Sequence, residues 1–233
     1  MSFLLIHGAF RAGWAWGQVP GALRAAGHRV EAPTLVGMGE LAPPAERRAT
    51  LSLDDWVEQL TRLAHMIDLS DIVLVGHSQG GLVARAAAPA LGDRLAAVAY
   101  LDSPLPEEGQ RGVDLSGPRG DRPLPPADAW LDPQPLAVGE GYTQALCDYI
   151  NPRLGPTPVG PSLDPIPGAA PNVERHIAFC SLTPDGFPSS LAREALDGSD
   201  QSYVLFDSVH DVALAQPTDV VAWLEGIACG LSG

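Results

Sequence analysis

The stretch "IVLVGHSQGG", Ile72 to Gly81, runs four apolar residues into a serine fenced by glycines. A run so short and so apolar suits a strand covered on both faces. The Ala-rich "GGLVARAAAPAL" that follows suits a helix. Between them Gly76-His77-Ser78-Gln79-Gly80 fits G-x-S-x-G, in the strand-turn-helix setting that this pattern requires. A turn that sharp strains the serine backbone and brings neighbouring chain very close, so small residues are needed on either side. The reward is a hydroxyl held above a sheet edge at a helix N-terminus, where a nucleophile would sit.

Outward from this stretch, short apolar runs alternate with longer amphipathic ones, which argues for a parallel sheet wrapped by helices. Ser2 to His7, His28 to Thr34, Asp71 to His77, Leu95 to Asp102, Glu174 to Ser181 and Ser202 to Asp207 read as six strands. Helices are expected over "WGQVPGALRAAG", over "LSLDDWVEQLTRLAHMI" with Ser52 as N-cap, over the segment after Ser78, and over "PTDVVAWLEGIACGL" with Pro217 at its start. The fold class is α/β, a mostly parallel sheet of about six strands. From Pro104 to Pro171 lie 15 of the 23 prolines and no long apolar run. Residues 104–171 therefore read as an insertion between the two core segments, 1–103 and 172–233. Its middle, Pro126 to Ile150, suits one or two short helices and its flanks extended linker; Trp130, Tyr142 and Tyr149 favour a small cap packed over something.

A serine hydroxyl is a poor nucleophile until a base takes its proton, so Ser78 needs a histidine and a group to orient it. Of six histidines, His210 follows the last strand and precedes the last helix, which brings it to the C-terminal sheet edge where sites of open α/β sheets form. His7 reads as structural and His77 as pointing away from the serine, while His28, His65 and His176 sit in helix-flanking or surface-like stretches. Two carboxylates compete to hold His210: Asp102 at the end of a strand, and Asp185 in the loop "TPDGFP", which also reads as an ordinary turn. Asp207 and Asp211 flank the histidine too closely and read as surface or capping groups. Backbone N–H groups of Gln79 and Ala9 occupy the two positions of an oxyanion hole. Phe10 reads as a wall of the substrate pocket, and Trp14 and Trp16 as packing.

The chain carries 28 acidic against 14 basic residues, a net charge of -14, which argues against partners recognised through phosphate neutralisation, nucleic acid or an anionic membrane surface. No stretch approaches the ~20 apolar residues of a membrane span, and the start "MSFLLIHGAF" has no basic leader or cleavage site, so a cytoplasmic location is expected. Cys147, Cys180 and Cys229 are odd in number and widely spaced, suggesting neither disulfides nor a metal site.

With those residues in view, "LLIHGAFRAGWAW", "EAPTLVGMGE", "VLVGHSQGGLV", "AYLDSPLPEEGQ" and "DSVHDVALAQP" resemble the small α/β-hydrolases grouped with bacterial esterases of the pyrethroid-hydrolase type, and more distantly plant methyl-ester esterases and hydroxynitrile lyases. The resemblance covers about the first 110 and the last 60 residues. It implies an α/β-hydrolase fold with a small cap, a Ser78-His210-acid triad, Ala9 and Gln79 as oxyanion donors, and no cofactor or metal. The bacterial branch, with its aspartate in "YLD" before a P-E-x-G run, favours Asp102; the plant branch keeps Asp185 open. The chain departs from the pattern at Arg11, where a His or small residue is usual; a charge at the pocket mouth and a surface salt bridge are the two readings. Gly8 and Asp211 stand where the lyases have a hydroxyl-bearing residue and a lysine. The expected activity is hydrolysis of a small hydrophobic ester or thioester through an acyl-serine. A lyase, cyclase or acyltransferase on the same scaffold and a non-catalytic ligand receptor are the alternatives, with Phe10, Arg11 and Trp130 as candidate pocket residues.

Overall fold

The computed structural model describes residues 1–117, 121, 123–169 and 171–231. Six parallel strands form the central sheet: β1 (Ser2–Ile6), β2 (Arg29–Glu31), β3 (Ile72–His77), β4 (Leu95–Leu101), and, after two short strands β5 (Trp130–Leu131) and β6 (Thr157–Pro158) outside it, β7 (Glu174–Cys180) and β8 (Val204–Phe206). Their order is β2-β1-β3-β4-β7-β8. All six sheet strands coincide with the apolar runs expected from the sequence.

Alternation along each strand divides the core. Leu4, Ile6, Leu74 and Val98 face one side, where α2 (Leu53–Met66) and α3 (Gly80–Leu91) pack. Phe3, Leu5, Val73, Val75, Ala97 and Ala99 face the other, against α1 (Val19–Ala25) and α7 (Pro217–Leu231). Burial on both faces explains why β1 and β3 read as unbroken apolar runs rather than alternating ones. Helix α2 starts as expected at Ser52, with a full capping box: Ser52 Oγ accepts the Asp55 N–H and the Asp55 carboxylate accepts the Ser52 N–H at 2.7 Å. Leu53, Trp56, Leu60 and Ala64 form its buried stripe.

The chain winds from β1 outward to β2 and then crosses back to β3, so the order reverses between β1 and β3. At such a reversal the loops after neighbouring strands diverge and leave a crevice at their C-terminal ends. Gly8 and Ala9 leave β1 there, and Ser78 leaves β3.

Two helices and the flanks of the insertion depart from the sequence expectations. Helix α5 (Pro188–Leu196) was not anticipated, although Pro188 at its first position and the amphipathic "SSLAREAL" are helix signals that the preceding turn "TPDGFP" masks. A short α6 (Val212–Ala215) follows His210. In the segment between β4 and β7, α4 (Gln144–Ile150) forms within the stretch expected to hold one or two short helices, with Thr143 as its cap. Its flanks are packed rather than extended as free linker: Thr157, Val159 and Ile166 are buried, β5 pairs with β6, and the Asp164 carboxylate accepts the Leu53 N–H at 2.8 Å.

Candidate active site

Ser78 sits at the turn with φ of +53°, in the left-handed region that a serine occupies only under constraint. The constraint is visible at its neighbours. A Cβ on Gly76 would lie 2.5 Å from the Gly80 carbonyl oxygen, and one on Gly80 would lie 2.4 Å from the Ile6 carbonyl oxygen. Only glycine lets β3, α3 and the end of β1 approach this closely. The Ser103 hydroxyl donates to the Ser78 carbonyl at 2.9 Å and fixes the elbow from the β4 side.

His210 Nε2 lies 2.9 Å from Ser78 Oγ, and His210 Nδ1 lies 2.5 Å from Asp102 Oδ2. The structure thus brings Ser78, His210 and Asp102 into one hydrogen-bonded chain. Asp102 is 1% exposed. Its other partners are the Cys180 N–H at 3.1 Å on Oδ1 and the Thr183 hydroxyl on Oδ2. Burial works to raise its pKa, but the hydrogen bond and charge of His210 and the Thr183 hydroxyl prevail and hold it below the usual carboxylate value. Asp185 lies exposed in the Pro184–Gly186 turn, while the two ring nitrogens of His210 pair with Asp102 and Ser78. The physical reason is local: the chain turns outward after Thr183, with the Phe187 N–H bonding back to the Pro184 carbonyl, so this loop sends Thr183 inward and Asp185 to solvent.

The remaining histidines sort themselves. His77 is buried, its ring 4.7 Å from that of His210, and its Nε2–H donates to the His210 carbonyl at 2.8 Å. Burial, reinforced by His210, brings its pKa down to about 4, so it is a neutral strut beneath the base. His7 accepts the Leu35 N–H at Nε2 and donates from Nδ1 to the Gly8 carbonyl, and burial lowers it to about 4 as well. It ties the loop after β1 to the segment after β2. His176 is partly buried beside Glu174, and His28 pairs with Glu225, both remote from Ser78.

A cavity of about 620 Å³ opens onto Ser78 and His210. Ala9, Phe10, Arg11 and Gln79 line it, as do Leu82, Leu115, Leu136 and Phe187, which make it mainly apolar. Ala9 and Gln79, whose N–H groups are the expected oxyanion donors, both line the cavity beside Ser78. Phe10, at φ +62°, is held by the segment between β4 and β7: its N–H donates to Thr157 Oγ1 at 2.6 Å and its carbonyl accepts the Gly155 N–H at 3.1 Å. Gln79 is held likewise, its side-chain amide donating to Ser162 Oγ at 2.9 Å. Trp130, expected in the pocket, does not line the cavity. Pairing of β5 with β6 turns its ring under the Arg48 guanidinium, 5.2 Å away.

Arg11 and Asp211, read separately as a pocket-mouth or surface charge and as a surface or capping group, are partners in a buried pair. Arg11 Nε and Nη2 each donate at 2.9 Å to the two Asp211 oxygens. The Tyr142 hydroxyl adds a third bond to Asp211 Oδ2 at 2.8 Å. Burial opposes the Asp211 charge, but the Arg11 hydrogen bonds and charge hold its pKa far below the usual range. Nothing in the sequence pairs residues 11 and 211, which lie at opposite ends of the chain.

Residues 3–223 match the alpha/beta hydrolase family. The chain belongs to this family. Among curated relatives, the carbendazim-hydrolyzing esterase of a Nocardioides species is 36% identical over 108 residues, 46% of this chain and 44% of that one. Salicylic acid-binding protein 2 of Nicotiana tabacum is 31% identical over 153 residues, 65% of this chain and 57% of its own. The hydrolase chain therefore spans about half the length of the curated relatives it matches. Among solved structures, a pyrethroid hydrolase from Sphingobium faniae superposes with a TM-score of 0.74 at 19% identity, over 100% of this chain and 98% of that one. At that identity the likeness concerns the fold.

Proposed function

We propose that this α/β-hydrolase is a serine esterase that cleaves a small hydrophobic carboxylic ester through an acyl-serine intermediate. The observation that carries this reading is the chain of hydrogen bonds from Asp102 through His210 to Ser78 at the floor of a largely apolar cavity. Asp102 holds His210 with its proton on Nδ1, leaving Nε2 to take the Ser78 proton as the hydroxyl attacks the carbonyl. Negative charge gathers on the carbonyl oxygen, and the Ala9 and Gln79 N–H groups receive it. The protonated His210 then returns its proton to the leaving alcohol. Water, activated by the same imidazole, attacks the acyl-serine and releases the acid. A thioester would follow the same steps with a thiol leaving. Residues 104–171 act as the cap, since Thr157 and Ser162 brace the oxyanion loop and the elbow from above.

Steady-state assays with p-nitrophenyl butyrate and labelling with a fluorophosphonate test this directly. Hydrolysis, an acyl adduct on Ser78 in acid-quenched samples, and loss of both activity and label in Ser78→Ala are expected. A protein whose Ser78 takes the label yet hydrolyses no ester would point to a lyase, cyclase or acyltransferase instead. Ligand binding and all activity unchanged in Ser78→Ala would point to a receptor.

A further inference from the structure

The Arg11–Asp211 pair has a chemistry that the acyl-transfer steps leave unused. Asp211 is heavily engaged: Oδ1 takes Arg11 Nε, and Oδ2 takes both Arg11 Nη2 and the Tyr142 hydroxyl. Its side chain is 1% exposed, so it offers nothing to a ligand. Arg11 is different. A guanidinium carries five N–H donors in a rigid fork, and two of them are committed to Asp211. Nη1 has no hydrogen-bond partner among the described residues, the side chain keeps 10% of its surface exposed, and the residue lines the same cavity as Ser78 and His210.

The surroundings define what could meet that free edge. Arg11 is the one Lys or Arg side chain lining the cavity among the described residues, while Asp102 and Asp132 also line it. Asp211 cancels the Arg11 charge at contact distance, so the pair has donors to give but little net positive field. A carboxylate would lose its hydration for a site whose local charge is neutral to negative. A neutral oxygen acceptor has much less hydration to lose. The cavity, at about 620 Å³, has room for a substrate much larger than a short acyl chain, and its other walls are mostly apolar.

We propose that Arg11 is a specificity-determining residue that receives a second, uncharged oxygen acceptor on the substrate, a ketone, amide or carbamate carbonyl beyond the scissile ester. The fixed ion pair makes it a preorganised donor, since the fork is held flat before any ligand arrives. Tyr142 cannot take this role while its hydroxyl donates to Asp211. The inference rests on the esterase reading and names the substrate class for it.

The experiment compares matched esters that differ only by a ketone. One set carries it in the acyl half: p-nitrophenyl 4-oxopentanoate, 5-oxohexanoate and 6-oxoheptanoate against pentanoate, hexanoate and heptanoate. The other carries it in the alcohol half: 4-oxopentyl and 5-oxohexyl butyrate against pentyl and hexyl butyrate, followed by pH-stat. In at least one pair the ketone is expected to raise kcat/KM about tenfold, the worth of a hydrogen bond from a charged donor. That ratio should fall to near one in Arg11→Lys, and also in the double variant Arg11→Met with Asp211→Leu, which removes the pair as a unit and leaves no lone buried charge. It should persist in Tyr142→Phe. Equal turnover of both members of every pair, a preference surviving in both Arg11 variants, or one lost in Tyr142→Phe would overturn the assignment. So would a stronger preference for the p-nitrophenyl ester of succinic acid, whose acceptor is a carboxylate. Absence of turnover of the plain alkyl esters as well, by a protein that is folded by circular dichroism, would sink the esterase reading and this inference with it.

Discussion

At the residue scale, function turns on which carboxylate stands behind His210. Asp102 directly follows the last residue of β4, with φ of +41° and its N–H bonded to the Ala178 carbonyl at 2.7 Å, so the carboxylate has little freedom to wander. Asp102→Asn should lower kcat by about four orders of magnitude, because an amide presents a donor where an acceptor is needed and selects the wrong histidine tautomer. Asp185→Asn should stay within about twofold of the parent, as for other exposed turn positions. The two rates, measured side by side on one ester, distinguish the carboxylates. In the proposed oxyanion role, one backbone donor from Ala9 or Gln79 is worth roughly 3 kcal/mol of barrier, less than the loss expected for Asp102→Asn. Thr183 was not legible as a partner of Asp102. It reads as part of an ordinary turn, and only the return of β7 alongside β4 brings its hydroxyl to the acid.

At the scale of elements, the oxyanion loop and the segment between β4 and β7 depend on each other. Thr157, 2% exposed, gives Phe10 its only polar brace on the N–H side. Thr157→Val keeps the shape and removes the acceptor, leaving a partly buried N–H unpaired. A loss of about 1–3 kcal/mol in urea-unfolding stability is expected, and the proposed oxyanion role of the loop predicts a fall in kcat larger than any rise in KM. Helix α2 offers a contrasting test remote from the site. Ser52→Ala removes one half of an exposed capping box and should cost about 1 kcal/mol of stability with no change in turnover.

At the scale of the whole molecule, two buried imidazoles set an acid limit on stability. His7 and His77 are neutral in the fold with pKa values of about 4, against 6.5 in an unfolded chain. As pH falls below 6.5 the unfolded chain takes up protons that the fold refuses, so unfolding becomes easier, and the effect levels off once pH passes below about 4. Each histidine contributes a loss of about 3 kcal/mol at full extent, from 1.4 kcal/mol per pH unit. Urea titrations at pH 7, 6, 5 and 4 should show this decline, and His77→Gln, which can still donate to the His210 carbonyl, should flatten it by about half. An unchanged slope would mean that His77 is not buried as a neutral ring. Asp102 and Asp211, both held below the usual carboxylate range, add a further decline at lower pH as they are protonated.

The fold was legible because its signals are local. Six apolar runs, the helix signals between them and the glycines around Ser78 each reflect physics within a few residues, namely burial on two faces, capping, and close backbone approach. Ser78 and His210 were legible for the same reason, one from its elbow and one from its place after the last strand. The choice between Asp102 and Asp185, the displacement of Trp130 from the pocket, the bracing of Phe10 by Thr157 and the pairing of Arg11 with Asp211 were not. Each joins residues from 78 to 200 positions apart or depends on which way a loop turns, and side-chain chemistry at one position carries no mark of the partner that the sheet order will bring beside it. Local signals along the chain sufficed to raise a serine above a parallel sheet with a histidine at the same edge. Which carboxylate bonds to that histidine and which charges line the cavity came from the fold alone, because those are set by how β4, β7 and the insertion between them pack.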